Sequence, residues 1–132
     1  MNRLVTLGIC AAAALPLTIS APAALAEDTA APADVVTYEV VSPVVRAANI
    51  EYVTETGRVF APNVALPWRF TVPVHDALGP PPNGSQVRAD WRFTRGPARW
   101  VSVRVYVNNT LICQNTLDIG NAACYGSTPR IT

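Results

Sequence analysis

WVSVRVYVNNTLICQNTLDIGNAAC, residues 100–124, carries the plainest strand-turn-strand pattern in the chain. Val101, Val103, Val105 and Val107 alternate with Ser102, Arg104 and Tyr106, the two-residue period of a half-buried strand. Asn108-Asn109 follows, and Asn tolerates positive φ better than most residues, so this pair suits a two-residue hairpin turn. A regular hairpin sets Val107 opposite Thr110 and Val105 opposite Ile112. Cys113 lies in the second run and Cys124 just beyond it.

Working outward, the other runs have the same period. Residues 35–41 (VVTYEVV) are rich in β-branched and aromatic side chains, and Pro43 ends them. Residues 49–54 alternate, with Ile50 and Tyr52 on one face, and residues 55–58 read as a turn. Residues 63–67 lead into a strand with Trp68, Phe70 and Val72 on one face, and Pro73 marks its end or a sheet edge. Residues 77–85 (ALGPPPNGS) read as a stiff Pro-rich connector, the alternative being a docking site for a module that binds Pro-rich segments. Residues 87–93 align Val87, Ala89, Trp91 and Phe93, and residues 94–98 break the run. The tail after Cys124 adds a short last strand or lies on the surface. No segment carries a sustained helical period. Six or seven short strands separated by Gly, Pro and Asn predict an all-β chain, a single antiparallel, Ig-like β-sandwich over residues 35–132.

The chain has 132 residues. Arg3, the apolar run from Leu4 to Ile19 and the small-x-small step Ala24-Leu25-Ala26 before Glu27 match a cleavable signal peptide over residues 1–26. An uncleaved segment anchored in the cell membrane is the alternative. Residues 27–34 (EDTAAPAD) read as a flexible lead-in. All ten basic residues are Arg, and removing Arg3 with the leader leaves nine against nine acids. Such a balance exerts no broad pull on nucleic acid. The expected location is secreted or in a periplasm-like envelope space. There, two cysteines favour one disulfide between Cys113 and Cys124, with two free thiols as the alternative.

The residues assemble no recognisable catalytic set. His75-Asp76 lies near Ser85, yet no G-x-S-x-G segment accompanies them, and an exposed His is the plainer reading. Neither a metal nor a cofactor motif is present. The arginines are more informative: Arg69, Arg88, Arg92 and Arg104 fall on polar strand faces. With Arg95 and Arg99 they are candidates for a patch that takes phosphate or carboxylate groups, against an ordinary solvated face partnered by Asp90 and Glu51.

Val36-Thr37-Tyr38-Glu39-Val40, Asn49-Ile50-Glu51-Tyr52, Ala65-Leu66-Pro67-Trp68 and the 101–107 strand with its turn occur in that order, followed by Cys124. This series resembles the mycobacterial membrane protein small (MmpS) family over roughly residues 36–124. The resemblance implies a periplasmic β-sandwich without catalytic residues that assists an RND-type transporter (MmpL) exporting lipids or siderophores. Family members keep an N-terminal membrane helix, whereas this chain reads as carrying a leader. Their first cysteine falls where this chain has Val103, so the Cys113–Cys124 bridge is expected to tie the last strand to its following loop. The implied role is a secreted, non-enzymatic accessory whose partner is a transporter or an envelope lipid. The rival is a secreted interaction protein that meets an envelope or host partner through its loops.

Overall fold

The computed structural model describes residues 32–132 together with residues 13, 14 and 16. Most of the expected leader, including the cleavage residues Ala24, Ala26 and Glu27, lies outside the described residues. Nine strands follow: β1 (Asp34–Val41), β2 (Ala47–Thr54), β3 (Gly57–Ala65), β4 (Trp68–Val74), β5 (Gln86–Asp90), β6 (Val101–Val107), β7 (Thr110–Leu117), β8 (Asn121–Tyr125) and β9 (Arg130–Ile131). They form a five-stranded sheet, β4-β1-β6-β7-β9, and a four-stranded sheet, β3-β2-β5-β8. The expected sandwich is what folds, with nine strands among the described residues instead of six or seven. All the pairings are antiparallel except β7–β9, which is parallel.

The two strands that sequence reading passes over are edge strands. β3 contains Gly57, Pro62 and Asn63, residues that read as turn and connector. An edge tolerates them, because a proline there removes no ladder bond. The register slips by one residue around Pro62 and Asn63, and Asn63 turns to φ 50. The Asn49 side chain accepts the Asn63 N–H at 2.8 Å, in place of a ladder partner. β8, NAACY, is too short and too poor in bulky side chains to announce itself. Pro73 lies in β4, which is likewise an edge strand.

The hairpin of residues 100–124 forms with both turn residues left-handed, Asn108 at φ 49 and Asn109 at φ 67. Val107 pairs with Thr110 as expected, but Val105 pairs with Cys113 instead of Ile112. Ile112 is an extra residue, a bulge in β7. One added residue moves every later side chain to the other face of the sheet. Cys113 therefore turns inward beside Val105 and is buried.

Cys124 is equally buried and belongs to β8, in the four-stranded sheet. The disulfide between them, with Cα atoms 5.7 Å apart, joins the two sheets. This corrects the expectation that it ties a strand to a loop. Asn115, two residues after Cys113 and on the same face, donates from Nδ2 to the Ala123 carbonyl of β8 at 3.3 Å.

The core lies between the sheets: Val36, Tyr38, Val40, Val101, Val103 and Val105 on one side, Ile50, Val87, Ala89 and Ala122 on the other. Tyr38 crosses it. Its hydroxyl donates to Val53 O at 2.7 Å and accepts from Gln86 N at 3.3 Å, where β2 and β5 part. Burial pushes its pKa up to about 12, against the smaller opposing pull of the hydrogen bonds to Gln86 and Val53. The hydroxyl therefore keeps its proton and remains a donor. At the opposite end of the core, Trp91 is fully buried just past β5. Phe93, aligned with Trp91 in the sequence, instead stands outside, because the strand ends at Asp90.

Candidate functional site

The structure divides the arginines. On the outer face of the five-stranded sheet, Glu39 stands in register between Arg69 on β4 and Arg104 on β6. Arg69 Nη1 lies 3.0 Å from Glu39 Oε2, and Arg104 Nη1 2.5 Å from Oε1. Arg104 Nε also donates to Gln114 at 2.7 Å, and the Arg69 guanidinium lies 5.5 Å from the Tyr106 ring centroid. These two cations share one anion and form a polar rib across the sheet. Arg88 is on β5 of the other sheet, where Nη2 donates to the Tyr125 hydroxyl at 3.4 Å.

Arg92 is bound to Asp90: Nε reaches both carboxylate oxygens at 3.0 Å and Nη2 reaches Oδ2 at 2.5 Å. This side-chain bonding holds the Asp90 carboxyl below its usual range against the opposing effect of burial, and raises the pKa of Arg92. The four arginines expected on strand faces therefore do not meet in one patch: three are ion-paired locally, and Arg92 lies past the end of β5.

Three other arginines do come together. Arg46 from the loop between β1 and β2, with Arg95 and Arg99 from the loop between β5 and β6, line a cleft of about 360 Å³. Val44, Val45, Thr94, Gly96 and Pro97 complete it, and no acidic residue is in its lining. Among the described residues, none of the ion pairs involves Arg46, Arg95 or Arg99.

The Trp91 indole organises the longer loop. Its Nε1 donates to Arg99 O at 3.0 Å, and the Thr94 N–H and hydroxyl both donate to Trp91 O, at 2.9 and 2.6 Å. Arg99 in turn donates to the Thr94 and Trp91 carbonyls, so its charge is held in place without being cancelled. Ala98 completes the turn at φ 54, a left-handed conformation that costs a non-glycine residue about 1 kcal/mol. Three guanidinium groups around an acid-free cleft, one of them held in place, are suited to taking phosphate or carboxylate oxygens through charge-assisted hydrogen bonds. Sequence reading included Arg95 and Arg99 but missed Arg46, which follows Val44-Val45 in an unremarkable connector.

At the other end, Val53, Thr54, Glu55, Val74, His75, Asp76, Pro82 and Asn83 line a cleft of about 350 Å³. His75 Nε2 lies 3.2 Å from Glu55 Oε1, and the pair is largely exposed. Ser85 is buried and its hydroxyl donates to Ala77 O at 2.6 Å, so it faces its own loop. Among the described residues, no three His, Cys, Asp or Glu side chains are grouped to hold a metal, and no helix is long and apolar enough to cross a membrane.

No family model matches this chain, and no curated protein is significantly similar to it. The buried inter-sheet disulfide belongs to an oxidising, non-cytoplasmic environment.

Proposed function

We propose that this chain is an exported, non-enzymatic accessory domain of a mycobacterial-type cell envelope, MmpS-like, that assists RND-type (MmpL) export of lipids or siderophores. The observation that carries the reading is where the resembling segments lie. Residues 36–40, Trp68 and residues 101–107 are neighbours in the order β4-β1-β6, with Val40 between Trp68 and Val103. The stretch around residues 49–52 packs in the facing sheet. Segments scattered along the sequence thus lie side by side in one sheet, backed by residues 49–52 in the other. The disulfide and the Tyr38 cross-bond make that arrangement stiff, which suits a domain that acts by its surface.

Chemical crosslinking in intact envelopes is the test: a transporter component is expected in the recovered complex, and recovery of crosslinked complexes without one would overturn the reading.

The rival, a secreted interaction protein, is favoured by one observation. The 77–85 loop is braced by Ser85 on Ala77 and by Gly84 N donating to Pro80 O, while Leu78 at its rim is exposed. Deleting residues 78–83 separates the two, since loss of partner binding with an intact sandwich is expected only of the rival.

A further inference from the structure

The basic cleft lies on one end of the sandwich, and the strand directions show which loops share that end. β1 runs away from its pairing with Val74 and Val107 and finishes beside Trp68 and Ser102. The 42–46, 66–67, 91–100 and 118–120 loops are therefore together, and the 55–56, 75–85 and 108–109 loops are together at the far end. Contacts tie the first group into one surface. Ser42 Oγ donates to Trp100 O at 2.6 Å, Trp91 N donates to Gly120 O at 2.7 Å, and Leu66 N donates to Arg46 O at 2.9 Å.

Charge is polarised between the ends. The first carries Arg46, Arg92, Arg95 and Arg99 against Asp90 and Asp118; the second carries Asp34, Glu55 and Asp76 against Arg58 and Arg130, with His75 beside Glu55. Exposed apolar side chains are most numerous at the basic end: Val44 is 55% exposed, Phe93 51%, Trp100 46% and Ile119 65%, against Val35 and Leu78 at the acidic end and Phe60, Phe70 and Ile131 on strands. Single exposed apolar side chains are ordinary, but here they fringe an arginine-lined cleft on loop tips.

We infer that the 42–46, 91–100 and 118–120 loops dock on an anionic phospholipid bilayer, with Arg46, Arg95 and Arg99 taking lipid phosphates and Val44, Phe93, Trp100 and Ile119 entering the boundary between headgroups and acyl chains. Charge complementarity selects an anionic surface. The apolar fringe selects a lipid over a free anion, for which exposed Phe and Ile have no use. Aromatic and aliphatic tips interleaved with basic groups match the graded polarity of a bilayer interface. The Trp91-braced loop presents both without reordering on contact. The inference deepens the accessory reading, and rests on it for the protein's place beside a membrane.

The test is co-sedimentation of the full chain with phosphatidylcholine vesicles made with and without phosphatidylglycerol. Residues 1–30 are common to every variant, so only differences between lipids and between variants are read. Binding is expected to require phosphatidylglycerol and to weaken as salt rises. Arg46→Gln with Arg95→Gln is expected to weaken it about twenty-fold at low salt. Phe93→Ser with Ile119→Ser is expected to weaken it roughly tenfold at constant charge. Arg69→Gln and Arg88→Gln, on the sheet faces, are expected to leave it unchanged, and circular dichroism checks that every variant is folded. Equal binding to both vesicles, or phosphatidylglycerol binding that ignores the loop variants, overturns the inference. So does a loss confined to the arginine pair with inorganic phosphate competing fully, which would mark a simple anion site. Vesicle binding without a transporter crosslink would keep this inference and sink the exporter reading, and the converse result would do the reverse.

Discussion

The two ends of this sandwich are built from the same strands yet differ in how their loops are held. At the basic end, the 91–100 loop hangs on one buried side chain, Trp91, whose indole and carbonyl bind Arg99 and Thr94. At the acidic end, the 75–85 loop closes mainly on itself, through Ser85 on Ala77, Gly79 on Asp76 and Gly84 on Pro80. One end is therefore pinned to the core by a large side chain and presents charge outward, while the other closes on itself over the small buried side chain of Ala77. Balanced net charge hides this polarity, because the nine arginines and nine acids of residues 27–132 cancel only when counted together.

The largest test of the contrast is Trp91→Ala. It empties a fully buried site and frees the loop that carries Arg95 and Arg99, at a cost of about 3–5 kcal/mol in urea denaturation. Hydrogen exchange should rise first in residues 91–100, leaving 75–85 protected. Removing the disulfide with Cys113→Ala and Cys124→Ala is next, at about 3 kcal/mol from the loop it closes, with the acidic end more affected because Cys124 pairs with Val87, one residue from the start of β5. Equal loss of exchange protection at both ends would show that the bridge supports the sandwich as a whole.

Tyr38→Phe comes third. It deprives Val53 O and Gln86 N of their shared partner near the acidic end and costs about 1–3 kcal/mol. Opening centred on β2 and β5 near those residues is the expected exchange pattern. The smallest effect belongs to Asp90→Asn. The native carboxyl is held below its ordinary value of 3.8, so it stabilises the fold above that pH and loses the contribution as pH falls through the lowered value. The variant should flatten the acid limb of the stability curve below about pH 4 and leave neutral pH nearly unchanged.

Much of the interior was legible in the residues. Alternation placed Val101, Val103, Val105 and Val107 inside, and Val87, Ala89 and Trp91 with them, because a strand's period is carried by adjacent residues. Asn108-Asn109 announced its turn through the local tolerance of Asn for positive φ. The edge strands β3 and β8 were not legible: Pro62 and Asn63 in one and small residues in the other carry weak β signals, and pairing with a neighbour supplies what propensity lacks. Nor could alternation foresee the Ile112 bulge, which leaves no mark in the residue pattern yet decides which way Cys113 faces.

Residue pattern alone specifies an all-β core, a hairpin at residues 100–124 and two cysteines suited to one bond. Folding in three dimensions is what makes the bond join two sheets, lets Arg69 and Arg104 share Glu39, and brings Arg46 to Arg95 and Arg99. The reason is range. Period and turn preference act between residues a few positions apart, whereas Arg46 and Arg95 become neighbours only when strands from both sheets deliver their loops to the same end.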